Sequence, residues 1–185
     1  PILLVTHDLN EATALADRIY VISRGHTLQS GPPAEVIERP ANAHVARLVG
    51  QRNLFRGRVV GRRHPDPLLI QWGERVLHAR SHAASLSAGT QVDWMVPPSH
   101  IVWHRPDRTT RGAQENPVSG VIGNLLPMGG LYAVTLWVDG RTEHLLHFNL
   151  PSHAVRRHRL EAGTACCVSL LADGIHLMPR PDPGR

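Results

Sequence analysis

The hydrophobic pattern opens with four apolar residues in a row, Ile2-Leu3-Leu4-Val5. A run of that length reads as a short strand buried on both faces, the kind a parallel sheet uses. The chain then turns abruptly polar at Thr6-His7-Asp8, where such a strand would end. Leu9, Ala12, Leu15 and Ala16 follow at helical spacing, with Asp8 or Thr6 placed to cap that helix. Residues 18–23 read as a second strand, Arg24-Gly25-His26 as its turn, and residues 27–30 as the returning arm of a hairpin. Pro32-Pro33 opens a short helix over residues 34–38, at a position where the missing proline N–H is harmless. A further helix over residues 41–49 carries one apolar stripe, Val45, Leu48 and Val49, and stops at Gly50.

From Asn53 onward the pattern changes to short strand-like segments divided by Gly, Pro and Asp. Residues 68–72, 76–79, 92–96 and 101–103 read as strands, as do 120–125, 132–138, 142–148, 166–171 and 175–177. Asp139-Gly140 between two of them has the composition of a two-residue hairpin turn. The segments repeat. Phe55-Arg56-Gly57-Arg58-Val59-Val60-Gly61 opens one unit and Pro117-Val118-Ser119-Gly120-Val121-Ile122-Gly123 the next. Each unit closes alike, on Ala88-Gly89-Thr90 or Ala162-Gly163-Thr164, then on Arg105-Pro106-Asp107 or Arg180-Pro181-Asp182. Self-similarity of this kind reports a duplicated β module. The expected organisation is therefore residues 1–52 as an α/β segment, 53–107 as a first β module, 108–116 as a polar linker and 117–185 as a second β module.

In open α/β sheets, ligands bind beyond the carboxyl ends of the strands, which places His7 where a nucleotide is expected. A neutral imidazole both donates and accepts a hydrogen bond, a capacity suited to a water or a phosphate oxygen. The series Leu3-Leu4-Val5-Thr6-His7-Asp8-Leu9, Glu11-Ala12, Ala16-Asp17-Arg18-Ile19, Val21-Ile22-Ser23-Arg24-Gly25 and Gly31-Pro32-Pro33-Ala34-Glu35-Val36 resembles the last part of an ABC transporter ATPase around its switch histidine. The resemblance implies that residues 1–52 are the C-terminal part of a nucleotide-binding domain. It also implies that His7 contacts the γ-phosphate of ATP and orients the attacking water, with Mg²⁺ as the companion ion. The β units resemble the TOBE region that follows the ATPase domain in importers, with small OB-like barrels. The fold class expected is thus the α/β tail of an ABC ATPase domain followed by an all-β, OB-like duplicated TOBE region.

The sequence contains no G-x-x-x-x-G-K-[ST] phosphate loop, no signature motif and no apolar run ending in Asp-Glu. Its 20 basic Lys+Arg positions are all arginine, so a phosphate-loop lysine and a lysine Schiff base are both excluded. Turnover by this chain alone is not expected. Membership of an importer implies a second ATPase subunit in a homodimer, membrane permease subunits, an external solute-binding protein acting indirectly, and a place on the cytoplasmic face of the membrane. Two tandem TOBE units resemble the molybdate-binding form of the region, so an oxyanion such as molybdate is the expected cargo. Sulfate, iron, polyamine and sugar importers share the layout. Within that resemblance Ser152 matches a family oxyanion-binding serine, but the closing lysine and serine positions hold Leu171 and Asp173. The alternatives are a non-enzymatic anion-binding β module and an OB-like nucleic-acid binder.

Composition narrows these choices. The net charge of +5 with pI near 10.5 is compatible with nucleic acid, but the arginines are scattered and aromatic stacking platforms are few, so no nucleic-acid partner is expected. No stretch approaches the ~18 apolar residues a spanning helix needs. Cys166 and Cys167 are adjacent in an apolar run, where strand geometry points neighbours to opposite faces and disfavours a bond between them. His78 with His82, His100 with His104, and His144 with His147 have spacings that chelate zinc on a helix. In strands or turns they do not converge, so no metal site is expected. Trp72, Trp94, Trp103 and Trp137 are expected in the β core.

Overall fold

The computed structural model describes residues 2–63, 67–80, 86–104 and 115–180. The first segment builds a helix α1 (Leu9–Leu15), a hairpin of β1 (Ile19–Ser23) and β2 (His26–Gly31), and two short helices, α2 (Pro33–Glu38) and α3 (Ala43–Leu48). Proline stands at the start of α2, and the Asn42 side chain caps α3 by accepting from the His44 and Val45 amides. Val21, Val36, Val45 and Val49 form a small core, against which Leu9, Ile19 and Leu28 pack. The apolar run at the front departs from the expected buried strand. Ile2, Leu3, Leu4 and Val5 are 99, 88, 52 and 89% exposed and lie in no strand. A strand buried on both faces needs neighbours on either edge, and the other described strands are committed elsewhere.

The rest is β: β3 (Leu54–Arg62), β4 (Leu68–Trp72), β5 (Arg75–Ala79), β6 (Gln91–Met95) and β7 (Ile101–His104), then β8 (Glu115–Met128), β9 (Leu131–Val138), β10 (Leu145–Pro151), β11 (Ala165–Leu171) and β12 (His176–Pro179). They form two five-stranded sheets, ordered β12-β6-β3-β4-β5 and β10-β9-β8-β11-β7, with the pairings antiparallel throughout. The two orders are the same once the second set of five strands is laid on the first, with one exception. The last strand of each set crosses over: β7 pairs with β11 of the second set, and β12 pairs with β6 of the first. Side chains from both sheets meet in one continuous core, including Trp94, Ile70, Leu77, Ile122, Leu136, Leu146, Phe148 and Leu170.

The duplication extends to individual hydrogen bonds. Val59 N donates to Thr90 O and Gly89 N to Val59 O; at the equivalent place Ile122 N donates to Thr164 O and Gly163 N to Ile122 O. Gly89 and Gly163 sit at φ +92° and +91°, a backbone region that L side chains rarely adopt, so the shared Ala-Gly-Thr is a turn requirement. Both opening strands also break register at matched positions, between Val59 and Gly61 and between Ile122 and Asn124.

Several elements differ from the sequence expectation. α4 (Ser152–His158) is a helix that the strand pattern did not suggest; Val155 is its buried residue. β8 begins at Glu115, so Glu115 and Asn116 belong to a strand, and Asp139-Gly140 turns the chain within a longer connection before β10 resumes at Leu145. Trp72 and Trp94 are buried and Trp103 packs against the core, but Trp137 is 36% exposed and lies on the outer face over Gly123.

Candidate functional site

His7 sits in the turn between the exposed apolar run and α1. The turn is fixed by its neighbours. An Asp8 carboxylate oxygen accepts from the Asn10 amide at 2.7 Å and the Glu11 amide at 3.4 Å, which caps the helix. Thr6 Oγ1 accepts from the Asp8 amide at 3.0 Å and donates to a Glu11 carboxylate oxygen at 2.8 Å. The side chains of Thr6, Asp8 and Glu11 are thereby committed to holding the turn. His7 itself is exposed, with no hydrogen bond to its ring among the described residues. An imidazole so presented fits one contact to a phosphate oxygen or a water. The nearby carboxylates are occupied by the cap, so a companion metal ion would need ligands from elsewhere.

The helical segment is seated on the β region by a small apolar contact and one polar bond. Ala46 of α3 packs with Met95 of β6 and Met178 of β12, and Leu54 leans on them. His176 Nε2 lies 2.9 Å from the Pro40 carbonyl oxygen. Burial lowers the His176 pKa below its ordinary value, the Pro40 hydrogen bond opposes this, and Arg39 adds to the lowering. His147 is lowered in the same way, by burial and then by Arg52.

Two buried asparagines hold the sheets together, and sequence reasoning missed both. Asn53, 1% exposed, donates its amide to Val96 O at 3.1 Å and His147 O at 2.7 Å, and accepts from the His147 amide at 2.7 Å. Asn116, 4% exposed, repeats the arrangement: it donates to His78 O and Leu170 O, both at 2.9 Å, and accepts from the His78 amide at 2.6 Å. Each side-chain amide imitates a strand residue and clamps the free edge of the opposite sheet, β10 or β5. The signal was present in the sequence as Asn-x-x-x-Gly, at Asn53 with Gly57 and at Asn116 with Gly120. Both glycines are in tight places: a Cβ on Gly57 would meet Gln71 O at 3.0 Å, and one on Gly120 would collide with the Trp137 carbonyl oxygen.

The equivalent turns after β4 and β9 face each other across a shallow cleft lined by Trp72, Arg75, Asp139, Arg141 and His144. Its charges are mutually satisfied. Arg75 forms a two-pronged ion pair with Asp139, Arg141 reaches Glu74 at 3.4 Å, and the His144 ring rests on Trp72. The pairing raises the Arg75 pKa and holds the Asp139 carboxyl below its usual value, in both cases chiefly through their shared hydrogen bond.

Ser152 stands at the start of α4, its amide donating to Gly130 O at 3.0 Å and its hydroxyl to Gly129 O at 3.5 Å. Leu171 closes β11 and Asp173 is exposed in the turn after it. Cys166 and Cys167 are unpaired thiols, and burial, followed by the electrostatic effect of the neighbouring Cys167, pushes the Cys166 thiol up to about 12. Of the histidine pairs, His82 lies outside the described residues; His104 is bound to Ser169 Oγ at 2.6 Å and His147 to Thr135 Oγ1 at 3.2 Å. Among the described residues no three His, Cys, Asp or Glu side chains converge as metal ligands. No helix among them is long and apolar enough to cross a membrane.

No family model matches the chain. Among curated proteins it is similar to the Fe(3+) ions import ATP-binding protein FbpC of Streptomyces coelicolor, at 47% identity over 73 residues, which is 40% of this chain and 20% of that protein. The spermidine/putrescine import ATP-binding protein PotA 1 of Pseudomonas aeruginosa matches at 35% over 99 residues, 54% of this chain and 26% of the relative. PotA of Marinobacter nauticus matches at 36% over 103 residues, 56% and 28% respectively. The chain thus spans about a fifth to just over a quarter of the length of these relatives. Among solved structures, the molybdate-bound form of the cytoplasmic molybdate-binding protein ModG superposes with a TM-score of 0.63 at 20% identity, over 71% of this chain and 98% of that one. Over part of its length, as its motifs led one to expect, this chain is therefore similar in sequence to part of ABC importer ATP-binding subunits, and the duplicated β fold that makes up most of it is shared with ModG.

Proposed function

We propose that the chain is the C-terminal portion of the ATP-binding subunit of an ABC importer, with residues 1–52 completing a nucleotide-binding domain and the duplicated β region regulating or bracing a pair of such subunits. The similarity to importer ATP-binding subunits carries this reading. The exposed Ile2–Val5 run and the rigidly capped Thr6-His7-Asp8 turn support it. In the complete domain the apolar run pairs into a sheet, which brings His7 to the sheet's carboxyl edge. There the imidazole contacts a γ-phosphate oxygen and holds the attacking water in line, the positioning and electrostatic work that dominates phosphoryl transfer. ATP with Mg²⁺ supplies the cleavable bond and the charge neutralisation, through groups that this chain does not provide. The partners are a second ATP-binding subunit and the permease subunits, at the cytoplasmic face of the membrane.

The cargo is a small solute. The relatives named for ferric ion and for spermidine and putrescine make those two classes candidates, and the ModG-like fold keeps an oxyanion such as molybdate as the third. Direct oxyanion binding by the β region would draw on Ser152, whose hydroxyl already has a carbonyl partner, and would have to tolerate the Asp173 carboxylate. The test is hydrolysis by the in-frame extended protein. The His7→Ala substitution is expected to lower kcat by about 10²–10³-fold, the effect of removing one transition-state contact, while leaving nucleotide affinity within a few fold. Unchanged turnover would remove His7 from the mechanism.

A further inference from the structure

The outward side of β8, β9 and β10 is apolar, and the duplication shows that the fold does not require it to be. The register sets Val121, Trp137 and Leu145 in one row across the three strands, while the alternate residues Leu136 and Leu146 enter the core. On the same outward side Leu126, Met128, Leu131 and Trp137 are 55, 65, 45 and 36% exposed. No Arg, Asp or Glu occurs in 117–138 or 144–155. In the first unit the equivalent places, fixed by the matched register breaks, hold Arg58 for Val121, Gln71 for Trp137 and Arg63 for Leu126. Trp137 has been given room as well. Its indole lies over Gly123, where a Cβ would run into the ring, and Val60 stands at the matching position. β8 and β9 run 14 and 8 residues against 9 and 5 for β3 and β4, and the added length carries the exposed Met128 and Leu131.

We propose that this face is the contact between two copies of the chain, packed sheet on sheet about a twofold axis. The inference rests on the reading of a paired subunit and names the surface that does the pairing. The four exposed apolar side chains present on the order of 400 Å², a patch of the size that a monomer leaves open for a purpose. Two such patches, with the rows around them, reach the ~1,200 Å² at which specific interfaces begin, and sheets stack face to face at about 10 Å. Charge selects the occupant. A chain of net charge +5 meets its own copy at least cost where neither carries a charge. An acidic partner would be drawn instead to Arg56 and Arg58, exposed on the first sheet. The charges nearest the apolar face lie at its margins: the Arg75–Asp139 ion pair just beyond Trp137, and Arg52 near His147. An apolar centre with a polar rim is the usual anatomy of a protein interface.

The experiment is sedimentation velocity of the whole 185-residue chain over a concentration series at low and high salt. A monomer–dimer equilibrium is expected, unweakened by salt, because screening removes only the repulsion between the two positive chains. Trp137→Gln should weaken the dimer about thirtyfold, and Leu126→Arg about a hundredfold. The first unit already holds Gln71 and Arg63 at these places, so the fold accommodates both changes. Leu126→Glu should also weaken the dimer, and an equal mixture of the Leu126→Arg and Leu126→Glu chains should regain association, which a folding defect could not produce. Ile22→Ser, at a 64% exposed position on β1, should change nothing. A monomer at every concentration, a dimer lost with Ile22→Ser but kept by the face variants, or a mixture that stays monomeric would each overturn the proposal. So would a monomer that binds phosphatidylcholine vesicles, or one whose Trp137 is shielded from quencher only in the extended protein, since the face would then belong to lipid or to the rest of the subunit. Each of these results leaves the importer reading standing, because hydrolysis by the extended protein decides that reading separately.

Discussion

Replacing Asn116 by alanine isolates one of the two asparagine clamps without touching the strands' own ladder. The side chain is buried and makes three hydrogen bonds, at 2.6, 2.9 and 2.9 Å, to the His78 amide, the His78 carbonyl and the Leu170 carbonyl. At about 1 kcal/mol net for each bond the loss is about 3 kcal/mol. Stranding backbone groups away from water moves it toward about 4 kcal/mol. For a chain of this size that corresponds to a fall in Tm of about 10 °C. Asn116→Asp should cost more, because a carboxylate would face the two carbonyl oxygens that the amide group now serves. Urea unfolding followed by tryptophan fluorescence reads the global effect. Amide exchange reads the local one: Asn116→Ala should expose the His78 amide while the His147 amide, held by Asn53, stays protected, and Asn53→Ala should do the reverse. If both variants lose less than about 1 kcal/mol, or if the two amides keep their protection, the clamps are not what joins the sheets.

Three further outcomes follow from the same contacts. Gly120→Ala should destabilise by about 2–3 kcal/mol, since its Cβ meets the Trp137 backbone and the Leu136 side chain, whereas Gly57→Ala, whose nearest neighbours stand at 3.0 Å and beyond, should cost less. Paired melts compare them. Cys166, with its thiol pushed up to about 12 from an ordinary 9.0, should alkylate about a thousandfold more slowly at pH 8 than an exposed peptide cysteine, by mass spectrometry of the labelled protein. His176 and His147 are both held below the ordinary 6.5, so the unfolded chain takes up these protons first. Stability is then full above 6.5 and lost as the pH falls below it. The double variant His147→Gln, His176→Gln should flatten that acid limb in urea titrations, and an unchanged limb would exclude both residues as its source.

Much of this architecture was legible in the residues. The β1–β2 hairpin, α2 and α3 follow from a turn glycine, an early proline and an asparagine cap, all local signals that outlive any change of context. The duplication was legible too, because Ala-Gly-Thr must recur where the backbone must reach a positive φ. What escaped depends on partners distant in the chain. Nothing in Ile101–His104 or His176–Pro179 tells which sheet those strands complete, since an alternating strand pairs as well with one edge as another. α4 is short and begins directly on the end of β10, so its apolar spacing is indistinguishable from a strand's continuation. Ile2–Val5 carries the composition of a buried strand, but burial needs neighbours that the described strands do not supply. The asparagine clamps hide for a related reason: a lone Asn near a strand start usually reads as a turn residue, and only comparison of the two units reveals Asn53 and Asn116 at matching places. Of the candidate site, the capped turn around His7 was readable, whereas the committed hydroxyl of Ser152 required the fold.

The central claim, that these residues complete an importer ATP-binding subunit, is tested most directly by the coding DNA immediately upstream of Pro1. The account predicts an in-frame extension containing a G-x-x-x-x-G-K-[ST] loop, a signature motif and an apolar run ending in Asp-Glu. A start codon or an in-frame stop directly before Pro1 would contradict it, and would leave the β region as the functional part of the chain.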